Sequence, residues 1–325
     1  MSSKKRRIAA ADIGSNNLHL KIADVDEGEL SVVARHVVPT RLSQDVDEDG
    51  RVSPGKMTQI VAVLNLFKAI AEGYNTDKFL CVATEATRSA NNGQQFIDFV
   101  RDRTGLDVEV ISEEMEAALT FRGATYNTKL HLGQLVVDIG GGSTELIVAH
   151  RHQVDWMMTV PIGSGRLTDR FIESDPPTRE EMKKLRRYLD RVFEQVQPGH
   201  RIDHVIFTGG TAQNLHLIAA CDQAQWKLKR RELREAIQRL QEHRAAEISA
   251  TYQLDLARAI TLPAGAVVAH SILVRFNLHE LRISPQGVRS GLILTYAQYG
   301  DEWNKHLLSP DIVRAPSPLD RSGEI

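Results

Sequence analysis

The chain has few cysteines and no long apolar run. Cys81 and Cys221 are the two cysteines among its 325 residues, and they lie far apart in hydrophobic surroundings, so we expect no disulfide framework. No run reaches about 18 consecutive apolar residues, which predicts no membrane-spanning segment. The basic start, Met1 to Arg7, continues into a strand pattern and lacks the apolar stretch of a signal peptide. These absences favour a protein of the reducing cytoplasm.

Excess charge of either sign is also absent. The formal net charge is −2, with 42% hydrophobic and 25% charged residues, the balance of a soluble globular chain with one or two domains. Binding to nucleic acid through bulk positive charge is therefore disfavoured. If the ligand is a polyanion, its site must be local and built from a few groups.

A short pattern occurs twice. Residues 12–23, DIGSNNLHLKIA, align with residues 138–149, DIGGGSTELIVA, and five of the twelve positions are identical. Each copy is a strand, a polar turn that begins with Asp-x-Gly, and a second strand. This predicts an internal duplication, with two related α/β halves facing each other across a cleft. The alternative is a chance match between two hairpins of similar composition.

The second copy, residues 138–145, carries the strongest chemical signal. Consecutive glycines let backbone N–H groups converge on phosphate oxygens, and the hydroxyls of Ser143 and Thr144 add donors. Asp138 and Glu145 offer the hard oxygen ligands that Mg²⁺ prefers. A strand follows this turn, whereas a dinucleotide fingerprint opens a helix, so a Rossmann loop is excluded. A glycine-rich hairpin that binds nothing is the alternative.

Other candidates are weaker on their own. The turn at 14–17 is the first-copy counterpart, and the Gly-Gly-Thr turn at 209–211 precedes a helix, where it can bind an anion or merely cap the helix. Arg88 suits a phosphate or a surface ion pair. Three glutamates, Glu113, Glu114 and Glu116, begin a helix after Ser112; the pattern leaves open whether one is a general base or all complement the helix dipole.

Taken in order, these segments resemble the exopolyphosphatase / guanosine pentaphosphate phosphohydrolase family of the actin-like ATPase superfamily. The resemblance covers roughly residues 7–300. It rests on the two Asp-x-Gly turns, Ala83-Thr-x-x-x-Arg88, Ile111-Ser-x-x-x-Glu116-Ala, Gly163-x-x-Arg-Leu-Thr-x-Arg-Phe171, Gly209-Gly-Thr211 and Leu262-Pro-Ala-Gly-Ala266. It implies duplicated actin-like (ribonuclease H-like) domains, at residues 1–125 and 126–310. The composition of residues 311–325, rich in proline, serine and charge, predicts a disordered tail.

The resemblance also implies roles. Glu116 matches the family's general base, and Asp138 and Glu145 match acidic residues that hold Mg²⁺ or position the attacking water. The matched phosphate-binding positions are Ser15, Asn16, Arg88, Gly141, Gly142, Ser143, Gly210 and Thr211. The expected substrate is inorganic polyphosphate or guanosine pentaphosphate, hydrolysed by a homodimer with no nucleic-acid or membrane partner.

The sequence departs from the family pattern in places. Asn17 stands where serine is common, and Ser290 stands where a Gly-Leu-Arg-Glu-Gly motif has glutamate. These changes bear on substrate preference rather than on the type of reaction. We expect a short two-domain form of the family, without the extra C-terminal helical domain of its longer members. Two other functions stay open: a kinase or ATPase of the same superfamily, and a non-catalytic sensor of a phosphorylated nucleotide.

Overall fold

The structure divides into two compact units. The computed structural model describes residues 5–42, 49–128, 133–150, 153–199, 201–219, 222, 224–307 and 313–314. One unit comprises Met1–Gly123 and Val288–Leu308, and the other Ala124–Gly287 and Ser309–Ile325. Cys221 and all of the tail predicted at 311–325 except Val313–Arg314 lie outside the described residues.

The first unit contains a five-stranded mixed sheet. Its strands are β1 (Arg6–Ile13), β2 (Asn17–Asp26), β3 (Glu29–Pro39), β4 (Lys78–Ala83) and β5 (Val108–Val110), in the order β3-β2-β1-β4-β5. Its helices in this stretch are α1 (Pro54–Gly73), α2 (Glu85–Arg88), α3 (Gly93–Thr104) and α4 (Glu113–Ala124). The apolar spacing that predicts a helix from Pro54 is confirmed, because Ile60, Leu64 and Phe67 are fully buried on one face of α1.

The second unit contains a seven-stranded mixed sheet. Its strands are β6 (Gln134–Ile139), β7 (Thr144–His150), β8 (Gln153–Val160), β9 (His204–Thr208), β10 (Lys227–Lys229), β11 (Glu280–Ile283) and β12 (Val313–Arg314), in the order β10-β11-β9-β6-β7-β8-β12. Its helices are α5 (Ser164–Phe171), α6 (Arg179–Glu194), α7 (Gly209–Ala219), α8 (Arg230–Glu242), α9 (Ala245–Tyr252) and α10 (Leu256–Arg275).

The two sheets share one topology. Without its edge strands β10 and β12, the second sheet reads β8-β7-β6-β9-β11, which matches β3-β2-β1-β4-β5 strand for strand in order and direction. The register of the second strand shifts between Ile22 and Ala23 in one sheet and between Val148 and Ala149 in the other, which are equivalent positions. A chance match of two hairpins does not produce a shared bulge, so the duplication is confirmed.

The helix α11 (Val288–Tyr299) is grouped differently from the sequence expectation. Residues 126–310 were expected to form one domain, whereas α11 and the 3₁₀ helix that follows, Gly300–His306, belong to the first unit. The reason is packing: a Cβ at Gly291 would approach the carbonyl oxygen of Leu119 within 1.9 Å, and Lys21 on β2 donates to Ser290. The first unit is therefore discontinuous in sequence.

Helix α10 is the most apolar helix of the second unit. It is long and apolar enough to cross a membrane by composition alone, but 67% of its apolar window is buried inside the unit. It packs against α5, α6, α7, α8 and α9. Its composition therefore reflects a position in the core.

Candidate functional site

The glycine turn of the second unit, residues 140–143, is held in place by hydrogen bonds from the start of α5. The N–H groups of Ser164, Gly165 and Arg166 donate to carbonyl oxygens of Gly140 and Gly141 at 2.8–3.0 Å. These bonds occupy the carbonyl side of the turn. Within the described part of the chain, the amide nitrogens of Gly141 and its next two neighbours donate to no protein acceptor. The turn thus presents a set of N–H donors, the arrangement that binds phosphate oxygens.

Close approach of the backbone explains why a glycine, Gly163, precedes α5. A Cβ at Gly163 would lie 2.3–2.4 Å from backbone atoms of Gly141 and Gly142, and one at Gly165 would lie 3.1 Å from the Gly141 oxygen. No side chain fits at Gly163 without moving the turn. The Gly163-x-x-Arg segment of the sequence therefore supports the glycine turn, and its Arg166 side chain is exposed.

Asp138 and Glu145 form a cross-strand pair. They are directly opposite on antiparallel strands β6 and β7, so both side chains project from the same face. The Ser143 hydroxyl hydrogen-bonds the Glu145 carboxylate. Gly209, at φ +80°, sits against Asp138: a Cβ there would meet the Asp138 Oδ1 at 2.2 Å. The strands and the two turns hold both carboxylates in place.

The Gly-Gly-Thr turn lies next to this pair, since Thr208 and Asp138 are neighbours on parallel strands β9 and β6. Gly210 is exposed in the first turn of α7 and lies beside the Arg258 guanidinium, 3.5 Å from where its Cβ would be. Thr211 is buried, and its hydroxyl donates to the Ile139 carbonyl at 2.8 Å. The Thr211 hydroxyl therefore stabilises the end of β6. Gly210 is the exposed residue at the N-terminus of α7, where an anion can bind.

The first unit repeats the turn with other side chains. Gly14 N–H donates to the Asn17 oxygen just as Gly140 N–H donates to the Ser143 oxygen. Asn16 is exposed, and its carbonyl oxygen accepts from two backbone amides after β3. The Ser15 hydroxyl donates to the Glu85 carboxylate at 2.9 Å. The predicted phosphate-binding residues Ser15 and Asn16 thus lie on an ordered turn.

Arg88 links the end of α2 to the start of α4. Its guanidinium donates to the Ile111 carbonyl at 2.7 Å and lies 3.6 Å from the carboxylates of both Glu113 and Glu116. The predicted cap is confirmed, because the Ser112 hydroxyl accepts from Met115 N–H at the start of α4. The structure therefore brings together the predicted phosphate-binding arginine and the predicted base, Glu116.

The sequence analysis did not predict two polar pairs that join α11 to strands β1 and β2. Arg289 lies 3.3 Å from Asp12, whose pKa is raised by burial against the opposing effect of that guanidinium. Lys21 Nζ donates to the Ser290 hydroxyl at 2.6 Å, with both residues buried. Burial first, and then the nearby arginines, lower the pKa of Lys21 to about 6. Arg258 was also missed, since a lone arginine early in a helix gives no signal in sequence.

A divalent cation fits the Asp138–Glu145 pair. Mg²⁺ typically takes one or two protein carboxylates and completes its shell with water and substrate phosphate. Among the described residues, no group of three His, Cys, Asp or Glu side chains is placed to hold a metal by itself. Two carboxylates on one sheet face beside a phosphate-type turn match the open site that substrate phosphate completes.

Comparisons with known proteins agree with this geometry. The sequence profile of the Ppx/GppA phosphatase family matches residues 21–299. The chain is 32% identical to exopolyphosphatase 2 of Mycobacterium tuberculosis, over 90% of this chain and 98% of that protein. A crystal structure of the Aquifex aeolicus Ppx/GppA family member superposes with a TM-score of 0.81 at 29% identity, covering 91% of this chain and 99% of that one.

Two sheets of one topology, each with an Asp-x-Gly turn, together with these structural neighbours, define a protein of the actin-like ATPase fold. The family match spans most of the chain. The chain belongs to the Ppx/GppA phosphatase family, and it is a hydrolase of the phosphatase class.

Proposed function

We propose that this phosphatase releases terminal phosphate from inorganic polyphosphate. The observation that carries the proposal is the Asp138–Glu145 pair beside the braced glycine turn, a combination suited to a chain of phosphates and one cation. Its relatives include exopolyphosphatase 2 of Mycobacterium tuberculosis and exopolyphosphatase 1 of Mycobacterium bovis, the latter 28% identical over 89% of this chain. Guanosine pentaphosphate, with the same phosphoanhydride chemistry, is the second candidate substrate.

Different residues of the site are proposed to bind phosphate and to hold the cation, the two roles that phosphoryl transfer requires. Positioning and charge neutralisation do most of it, because the transition state is loose and bonds little to the attacking water. The amides of Gly141, Gly142 and Ser143 bind phosphate oxygens, joined by Gly210 and by Arg258. Asp138 and Glu145 would hold Mg²⁺, which would neutralise developing negative charge when bound.

Glu116 is proposed as the general base. Its carboxylate lies 3.6 Å from the Arg88 guanidinium, and Arg88 is anchored by the Ile111 carbonyl. This contact orients the carboxylate, which would take a proton from the attacking water. Arg88, Ser15 and Asn16 are proposed phosphate contacts on the first unit, as the sequence predicts. A cytoplasmic location and a homodimer also remain predictions.

The test is phosphate release from long-chain polyphosphate, tripolyphosphate, guanosine pentaphosphate and nucleoside triphosphates, with Mg²⁺ and with chelator. Wild type is compared with Glu116→Gln and with Glu113→Gln, a matched control that touches the same arginine. We expect Mg²⁺-dependent release that falls by about 10²–10⁴-fold in Glu116→Gln and far less in Glu113→Gln. ATP turnover coupled to phosphorylation of an acceptor would favour a kinase, and tight binding without release would favour a sensor.

A further inference from the structure

A pocket of about 800 Å³ lies in the second unit, at the end of the sheet opposite to the glycine turn. Its floor is formed by the first residues of the parallel strands β6 and β9 and by strand β11. Its walls are the segment before β9, with residues 198 and 201–203, and the end of α10 with the loop that follows, residues 275–279. A pocket of this volume is large enough for a small molecule.

The pocket is separate from the glycine turn. The turn follows the last residue of β6, whereas the pocket includes His204, the first residue of β9. His204 and Thr208, at the two ends of β9, are four residues apart, a distance of about 13 Å. The buried side chains of Val136 and Ile206 lie between the two places on the same face of the sheet. A single phosphate group therefore cannot contact both.

Hydrogen bonds hold the walls of the pocket in place. The Arg275 guanidinium donates to the carbonyls of Phe193 and Val196, at 2.7 and 2.8 Å, near the end of α6. The Asp203 amide donates to the Gly133 carbonyl at 2.9 Å, which fixes the segment before β9. Arg275 is half-buried, and its Nη1 group makes no hydrogen bond with any residue that the structure describes. The pocket therefore contains a fixed guanidinium with donors left for a ligand.

The two acidic residues of the pocket are matched by other cations. Asp203 forms an ion pair with Arg201 at 2.8 Å. Glu280 stands directly opposite Lys229 on the antiparallel strands β11 and β10, where opposite charges attract each other. Neither carboxylate is within ion-pair distance of Arg282. The acids of the pocket therefore do not neutralise its remaining arginines.

Arg282 is a cation without a matching acid. Its half-buried side chain lines the pocket and makes no ion pair or hydrogen bond with the residues described by the structure. The residue directly opposite on β10 is Lys227, and like charges at directly opposite positions destabilise a sheet. Together with Arg275, two guanidiniums without a carboxylate partner line one pocket. This local excess of positive charge indicates that the pocket binds an anion.

The arginines also select the kind of anion. A guanidinium presents a planar fork of N–H donors that matches phosphate oxygens and keeps its charge at any working pH. The whole chain has a net charge of −2, so the pocket does not reflect a generally basic surface. Its volume accommodates a nucleotide as well as a short inorganic phosphate chain.

We propose that this pocket is a second, non-catalytic site, in which Arg275 and Arg282 bind the phosphate groups of a small phosphorylated compound. The inference goes beyond the proposed function and does not depend on it, because none of the residues that carry it lies at the glycine turn.

The test measures binding of GTP by calorimetry in chelator. All proteins carry Arg258→Gln, which weakens phosphate binding at the glycine turn, so that the remaining binding reports on the pocket. This background is compared with and without Arg282→Gln, and with Arg187→Gln, a matched control whose exposed side chain on α6 lies outside the pocket. We expect Arg282→Gln to weaken GTP binding about tenfold or more and Arg187→Gln to leave it unchanged. No binding in the background, no loss in Arg282→Gln, or an equal loss in the control overturns the inference.

Two further ligands identify what the pocket recognises. Guanosine has no phosphate and is expected not to bind; binding as tight as that of GTP overturns the inference. Tripolyphosphate carries the same number of phosphates as GTP, so equal affinities assign the site to an inorganic phosphate chain, and tighter binding of GTP assigns it to a nucleotide.

Turnover separates this site from the proposed reaction. Arg282→Gln in the otherwise unchanged chain is expected to release phosphate from tripolyphosphate with the kcat and KM of the wild type. A loss of turnover in this variant would place Arg282 in the reaction and contradict a separate site. If no protein releases phosphate while Arg282→Gln still weakens GTP binding, the proposed function fails and the second site stands.

Discussion

The two units have the same strand order and different chemistry at equivalent positions. Asp12 in the first unit contacts Arg289, whereas its counterpart Asp138 stands opposite a second carboxylate, Glu145. The residue paired with Asp12 is His19. Asp12 therefore contacts an arginine of its own unit, whereas Asp138 has a second carboxylate on the same face of its sheet. The duplication gives both units the same backbone arrangement, and individual side chains determine what each unit can bind.

The shared frame extends to details. Both Asp-x-Gly turns close with a hydrogen bond from the glycine amide, and in both a threonine hydroxyl reaches the carbonyl of the isoleucine at the end of the first strand. These hydroxyls belong to Thr84, which donates to Ile13, and Thr211, which donates to Ile139. Bonds that recur in both copies serve the fold. Groups that differ are the candidates for function.

The largest expected effect comes from the two equivalent aspartates. Asp138→Asn removes half of the acid pair, so turnover is expected to fall roughly 10²–10³-fold and to need more Mg²⁺, measured as phosphate release against metal concentration. Asp12→Asn instead leaves Arg289 without its carboxylate, so it is expected to lower the melting temperature more than Asp138→Asn does. A larger loss of turnover in Asp12→Asn, or a larger drop in melting temperature in Asp138→Asn, would contradict the different roles assigned to the two aspartates.

The second-largest effect is expected at Lys21. This buried amine occupies the position that the buried Ile147 occupies in the second unit. The folded-state pKa of about 6 lies below the ordinary 10.5, so the unfolded chain binds more protons between those values. Stability should therefore rise with pH from about 6 to about 10, by up to about 1.4 kcal/mol per pH unit. Lys21→Ile is expected to flatten that slope and to stabilise the protein near pH 7, as measured by urea unfolding.

An unchanged slope in Lys21→Ile would show that another group governs the pH dependence. Ser290→Ala serves as the control: it removes the partner hydroxyl and keeps the buried amine. The slope should persist in that variant, with lower stability at every pH.

A smaller effect on stability is expected at Gly163, which lies against the glycine turn of the second unit. Gly163→Ala forces a Cβ against the backbone of Gly141 and Gly142, so it should lower the unfolding free energy by about 1–3 kcal/mol and reduce activity with it. Gly55→Ala in α1, where a Cβ meets nothing, should be neutral or slightly stabilising. Thermal unfolding of both variants provides the measurement.

The smallest effects should come from the two turn serines. Ser143 bonds Glu145 of the acid pair, while Ser15 bonds Glu85 on the short helix α2. Each alanine variant should change stability by about 1 kcal/mol or less. Ser143→Ala should raise KM for polyphosphate more than Ser15→Ala does, and equal effects would indicate that orienting Glu145 is unimportant.

Much of the site was predictable because turns and caps are local. The Asp-x-Gly repeat predicted two equivalent hairpins, and Ser112 predicted the start of α4, since a strand-turn-strand and an N-cap depend on neighbours in sequence. The shared bulge falls at aligned positions of residues 12–23 and 138–149, but the sequence alone did not predict it. No rule based on neighbouring residues could show which of the three glutamates at the start of α4 is the general base. Glu116 was selected by the resemblance to a family.

The sequence by itself determined the duplication, the two α/β sheets and the glycine turn, because each depends on residue types at short spacing. Only the tertiary structure decided that α11 joins the first unit, that Arg88 contacts Glu113 and Glu116, and that Arg258 lies beside Gly210. Such contacts join residues distant in sequence, and their geometry follows from how whole helices pack.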